Sequence, residues 1–248
     1  VSRVWKYSGS FKALNGLFNI PSRALGRIYE GLEEAFEQSA FIKALKLVLT
    51  RIEVFLGIFV VLVLVVRHSH WDNLYSLAGV VLITAAFFIK TVVEKDEHFK
   101  VKRLDVTMLF FFLMAVLAAA GSISPGESVR FLFFYFTCFL FIVVITSSIN
   151  TDERLMVFVN LLLTGVFITG VYGIWQFIIG VPVDPSLTDI NMNEGMPGRV
   201  YSTVDNPNNF AEILVLTLPF FAAAVMNVKR IFTKVLFALM SLPPLISL

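Results

Sequence analysis

The stretch 155–180, LMVFVNLLLTGVFITGVYGIWQFIIG, decides the architecture. It carries no charged side chain and exceeds the about 20 apolar residues a helix needs to cross a bilayer. It can therefore span with room to tilt. Working outward, six further apolar runs read as spans: 47–66, 74–93, 106–122, 129–147, 209–228 and one that starts near residue 231. In the first of these, Arg51 and Glu53 are expected at the interface, with the arginine snorkelling. Composition agrees: 57% of the 248 residues are hydrophobic, 26 are Phe and only 15% are charged, against about 25% charged in a soluble domain. The expected fold is all-α, a polytopic transmembrane helical bundle of about seven spanning helices over 51–248, with an N-terminal helical arm at 1–50.

Charge placement sets the expected orientation. With the N-terminus inside, 17 of the 20 Lys and Arg residues fall on the cytoplasmic side and only Arg67, Arg130 and Arg199 fall outside. The protein is thus expected to be a multi-pass plasma-membrane protein with a cytoplasmic N-terminus and an outer loop at 181–208. The arm holds a weak repeat, SGSFKAL (8–14) and QSAFIKAL (38–45). In each copy a serine is placed to cap a short amphipathic helix. Its basic residues suit an anionic lipid surface, and docking of a protein is the sharper alternative. The chain begins at Val1 and stops inside an apolar run, which reads as a fragment of a longer protein.

Several chemistries lack their residues. The single cysteine, Cys138, excludes an internal disulfide and a multi-cysteine metal site, and reads as a buried packing residue. No phosphate-cradling glycine loop, dinucleotide fingerprint or HExxH is present. His68 and His70 alternate in RHSHWDN (67–73) without a third ligand nearby. Trp71 beside them fits an interfacial aromatic belt.

The polar cluster GRVYSTVDNPNNFAEIL (198–214) interrupts this apolar background on the outer side. Arginine makes paired hydrogen bonds to phosphate oxygens and keeps its charge. Arg199 is therefore a candidate ligand for a lipid-linked phosphate, and Arg130 a weaker one. The alternative is that Arg199 pairs with a carboxylate of its own loop: Asp184, Asp189, Glu194 or Asp205. The run Asp205-Asn206-Pro207 reads as a helix start, a capping Asp or Asn followed by proline in the first turn. The N-terminus of that helix, with its free N–H groups and positive dipole end, would favour an anion near Arg199. Asn206, Asn208 and Asn209 supply further polar groups, the last two as donors to phosphate or sugar. Glu212 either complements the dipole, pairs with Arg199 or positions an acceptor hydroxyl. Asn160, Thr164, Tyr172 and Gln176 form a polar stripe, read as interhelical glue. Gly165, Gly170 and Gly173 allow close approach there. Pro243 and Pro244 suggest a kink or break.

The segment GRVYSTVDNPNNFAEILVLTLPFF (198–221) resembles the motif of the O-antigen ligase and polymerase family of integral membrane proteins. In that motif an arginine, a short Ser/Thr stretch and an Asn-Pro-Asn turn lead into an apolar helix. The basic arm, with WKYSGS (5–10) and QSAFIKAL, is similar to that of Gram-positive members. The resemblance implies a glycosyltransferase acting on the outer face of the plasma membrane. Such an enzyme moves a glycan from polyprenyl diphosphate to a glycan or envelope acceptor, as a ligase or a polymerase in surface polysaccharide biosynthesis. It implies Arg199 as a diphosphate ligand, membrane lipid as a partner, and no cofactor, metal or nucleic acid. The family's histidine base lies in a later outer loop, so none of His68, His70 and His98 takes that role, and a fragment ending here is expected to be inactive alone. Two rival classes remain: a transporter or flippase for lipid-linked glycans, and a non-catalytic membrane subunit.

Overall fold

The structure is a computed structural model that describes residues 9–93, 103–181 and 198–248. The regular elements among them are all helical. In chain order they are α1 (Gly9–Phe18), α2 (Ile20–Gln38), α3 (Ala40–Leu49), α4 (Ile52–Val65), α5 (Asn73–Val93), α6 (Arg103–Ala120), α7 (Pro125–Ser148), α8 (Asp152–Ile179), α9 (Pro207–Asn227) and α10 (Ile231–Ser247). Two 3-10 turns, His68–His70 and Ser202–Val204, sit in the connections.

Four helices are long and apolar enough to cross a membrane: α5, α7, α8 and α9. The other three expected spans are apolar helices too, but shorter: Ile52–Val65, Val106–Ala120 and Ile231–Ser247. Seven full-length spans are therefore not what the helix lengths give. The first is shortened because the apolar run from residue 47 is not one helix; the chain turns at Thr50 and Arg51, between α3 and α4. Within the four long helices only 22–28% of the apolar window is buried. Phe110, Phe131, Phe177 and Phe220 are among the side chains left facing out. Such an apolar exterior matches lipid better than water as its solvent.

The chain divides into two compact units. The first comprises Val1–Leu56 and Asn73–Leu155. In it α5 packs against α7 and α2, and α6 packs against α7. Phe112 of α6 stacks on Phe139 of α7, ring centroids 5.9 Å apart. α2 is tied to α5 by a buried hydrogen bond of 3.0 Å between the Ser22 and Thr91 hydroxyls. The arm helices therefore dock on the bundle of this unit. Glu53, with only 1% of its side chain exposed, pairs with Arg51 at 3.2 Å and Arg154 at 3.9 Å, while Arg51 also reaches Glu153 at 3.4 Å. The charges expected at the start of the first span thus pair with one another across the starts of α4 and α8.

The second unit comprises Gly57–Asp72 and Met156–Leu248. Here α4 and α8 run in the same direction: Gly57 faces Leu161 and Leu64 faces Gly165. α10 also runs parallel to α8, since Gly170 meets Pro244 and Gly173 meets Ser247. A Cβ on Gly170 would lie 2.5 Å from the Pro244 nitrogen, so only glycine lets these backbones close. The Ser247 hydroxyl donates to the Gly170 carbonyl at 2.8 Å. The Pro243-Pro244 pair does not end the helix, which continues to Ser247. α9 runs the opposite way and packs on α10. The C-terminal ends of α4, α8 and α10 and the N-terminus of α9 therefore gather at one end of this unit. Leu64, Leu163, Val166, Phe210 and Leu214 form its core there, joined by Val204 of the loop.

Candidate functional site

The polar cluster 198–209 lies where those helix ends gather, and it is built into the unit rather than laid over it. Ser202, Thr203 and Val204 are buried. Gln176 of α8 holds Ser202 at both backbone groups: its Oε1 accepts from the Ser202 N–H at 2.7 Å, and its Nε2 donates to the Ser202 carbonyl at 3.2 Å. The Ser202 hydroxyl donates to the Thr169 carbonyl at 2.7 Å. The Thr203 hydroxyl donates to the carbonyl of Leu64, in the last turn of α4. Each bond satisfies a buried polar group that would otherwise cost about 1–3 kcal/mol. Gln176 in the polar stripe is thus a clamp on the loop, while Thr164 bonds back to Asn160 of its own helix.

The backbone of this loop is strained. Ser202 has φ 52° and Asp205 has φ 57°, the two non-glycine residues with positive φ among those described. Left-handed conformation costs an ordinary residue about 1–3 kcal/mol and persists where surrounding contacts overdetermine it. The contacts to Gln176, Thr169 and Leu64 do that for Ser202. For Asp205 the fixing partner is in another connection. Its Oδ1 accepts from Arg67 Nη2 at 2.9 Å and its Oδ2 accepts from the Ser69 N–H at 2.7 Å. Burial alone would raise the Asp205 carboxyl. The hydrogen bonds from Arg67 and Ser69 outweigh it and hold the group below the usual carboxylate range. Arg67, one of the three arginines expected outside, is the strut between the α4–α5 turn and the motif.

The helix start is as the sequence implies, with the cap resolved to one residue. Asn206 is the N-cap of α9, its side chain accepting from the N–H groups of Asn208 at 2.9 Å and Asn209 at 3.2 Å. Pro207 occupies the first turn. Asp205 does not cap; its carboxylate is committed to Arg67 and Ser69. The cap also occupies two N–H donors that an anion at this terminus would have used. What this terminus offers an anion is therefore its dipole and side-chain donors.

Arg199 is exposed and donates from Nη1 to Asn208 Oδ1 at 3.2 Å. This contact engages the oxygen of the Asn208 amide. Asn209 is exposed beside it, and Glu212 is exposed one turn further on, without an ion-pair partner among the described residues. Arg199, Asn206, Asn208, Asn209 and Glu212 thus share the rim at the start of α9. Arg130 belongs to the first unit, on α7, and lies 4.0 Å from Glu127 of its own helix. Asp184, Asp189, Glu194 and His98, and residues 1–8 of the arm, lie outside the described residues. His68 and His70 are exposed in their 3-10 turn, and no cluster of three metal-ligating His, Cys, Asp or Glu side chains occurs among the described residues. Sequence reasoning missed the clamp of Arg67 and Ser69 on Asp205. The available signal was that Arg67 is one of three outer arginines and Asp205 is the acid inside the motif.

No protein-family model, curated protein or solved structure matches this chain.

Proposed function

We propose that this chain carries the donor-binding site of an integral-membrane glycosyltransferase, of the O-antigen ligase and polymerase type. It would transfer or polymerise a glycan from polyprenyl diphosphate on the extracytoplasmic face of the plasma membrane. Arg199 binds the diphosphate, with Asn208 and Asn209 as neutral donors beside it. Asn206 caps the helix whose dipole faces the same anion, and Glu212 positions an acceptor. Arg130, on α7, is a second and weaker candidate for the diphosphate. The reaction displaces the diphosphate at the anomeric carbon by an acceptor hydroxyl. The arginine stabilises the charge that grows on the leaving group, a contact worth about 2.7–4 kcal/mol in comparable sites.

One observation carries the reading: the loop that presents Arg199 is held in a strained backbone by buried bonds to Gln176, Thr169 and Leu64. A connecting loop without a task does not need such fixing, whereas a binding rim does. The topology is a seven-span one with the N-terminus inside. Helix direction supports this count over a four-span one. In the second unit α4, α8 and α10 are parallel and α9 is antiparallel. With α5 and α7 both long enough to cross, alternating spans give α4 and α8 the same direction only if α6 crosses as well. The short helices then count as spans, and the 17-to-3 charge asymmetry puts the motif outside.

The test is transfer from a polyprenyl diphosphate glycan in membrane vesicles that carry the full-length protein. Arg199→Ala, with the protein still folded, is expected to cut product formation about a hundred- to thousandfold. Substrate crossing the membrane with its linkage unchanged would favour a flippase instead.

A further inference from the structure

The first unit contains a cavity of about 1020 Å³ between α1, α2 and the C-terminal end of α5. It is independent of the motif in the second unit and of the glycosyltransferase reading. Among the described residues its lining carries the cations Lys12, Arg23 and Arg27 and the acid Glu30. Asn15, Asn19 and Tyr29 add neutral hydrogen-bonding groups. In sequence these residues recur every three or four positions, so two consecutive helices present one continuous polar face. That face is hollowed by glycine. A Cβ on Gly26 would meet nothing within 4 Å, and one on Gly16 would meet only the Arg23 guanidinium, at 3.8 Å. The floor is fixed, because Ser22 and Thr91 are buried and hydrogen-bonded to each other at 3.0 Å. Arg23 is braced by its bonds to the carbonyls of Asn19 and Gly16.

A second, apolar crevice of about 200 Å³ lies between α1, α2, α5 and α7. Phe18, Pro21, Thr84, Phe87 and Phe88 line it. On α5, Thr84, Phe87 and Phe88 precede Thr91 by about one to two turns, about 4–10 Å along the helix. A polar cationic cavity and an apolar crevice therefore adjoin on one scaffold.

We propose that this pair of cavities binds a phosphate-bearing amphiphile. Its anionic headgroup sits among Lys12, Arg23 and Arg27, and part of its chain lies along Phe18 and Phe87. The shared chemistry is a phosphate group, which guanidinium and ammonium donors hold by charge-assisted hydrogen bonds. The adjoining apolar crevice favours a lipid over a free phosphate as its source.

The experiment uses the full chain in nanodiscs of neutral lipid, titrated with short-chain phosphatidic acid and, separately, with inorganic phosphate. Phosphatidic acid is expected to bind saturably. The double variant Lys12→Gln/Arg27→Gln should weaken it by at least about tenfold, the effect of losing one charge-assisted bond or more. Gly26→Leu changes no charge and extends a side chain into the cavity, on a helix where leucine is the better former. It should abolish binding with the melting temperature kept or raised. Lys43→Gln, a surface cation of α3 outside the cavity, should leave binding unchanged. Equal losses in the Lys43 and Lys12/Arg27 variants would mean surface attraction only and overturn the site. Unchanged binding in Gly26→Leu would do the same. Inorganic phosphate binding as tightly as the lipid would keep the headgroup site and overturn the assignment of the crevice.

Discussion

Arg67 and Asp205 are 138 positions apart in sequence and 2.9 Å apart in the structure. Their pairing fastens the turn between α4 and α5 to the loop that carries the motif. It also takes Asp205 out of contention as the partner of Arg199, which meets Asn208 instead.

The pair is half-exposed on its arginine side, so it stabilises by only about 1 kcal/mol after screening. Asp205→Ala loses the Ser69 N–H bond as well and is expected to cost more than Arg67→Ala in thermal unfolding. Because the folded Asp205 carboxyl titrates below its usual range, its contribution is fully present above about pH 4, the unfolded value. It is lost as pH falls through the folded one. Wild-type stability should therefore be indifferent to this group between about pH 5 and 8. The acid limb it adds should be missing in Asp205→Asn.

Gln176→Leu removes both bonds to the Ser202 backbone while keeping the side chain's bulk. A buried N–H and a buried carbonyl are left unsatisfied, a cost of about 3 kcal/mol. Unfolding in detergent reads the loss. Transfer activity should fall with it under conditions where the variant is still folded, because Ser202 then has fewer contacts to hold its left-handed backbone.

Asn206 separates capping from ligand binding. Asn206→Ala removes the cap and should destabilise α9 by about 1 kcal/mol. Asn206→Asp keeps the cap and suits the helix dipole, so stability should be retained. It also puts a negative charge on the proposed diphosphate rim. A stable Asn206→Asp protein with a raised KM for the lipid-linked donor is the expected result, measured by unfolding and initial rates together.

In the first unit, Glu53→Ala leaves Arg51 and Arg154 without their buried carboxylate. Breaking a buried pair from one side typically costs about 3–5 kcal/mol. Arg51 is exposed and keeps Glu153, so the lower end is expected, about 3 kcal/mol. Glu153→Ala, at an exposed partner, should cost about 0–1 kcal/mol.

Local features of the fold could be read in the sequence. The apolar runs became helices, and Asn206-Pro207 became a cap and first turn, because both depend on neighbouring residues. Gly170 and Gly173 permit the close approach expected of them. The limits of the first span could not be read. Hydropathy carries the run 47–66 through Thr50 and Arg51, whereas the buried ion cluster around Glu53 that accompanies the turn involves residues about a hundred positions away. For the same reason the partners of Asp205, Ser202 and Thr203 were not visible. They are contacts between distant connections, and single-sequence periodicity holds no information about them. The polar stripe was legible as a stripe, but its use by Gln176 to hold a loop was not.

The central claim, that Arg199 binds the diphosphate of a glycan donor, is tested most directly by comparing Arg199→Ala and Arg199→Lys in vesicles supplied with a polyprenyl diphosphate glycan and an acceptor. Both should fold and melt as the wild type does, since Arg199 is exposed. Product formation should fall about a hundred- to thousandfold in the alanine variant, with only partial recovery in lysine, which lacks the planar fork. Wild-type rates in Arg199→Ala would contradict the claim.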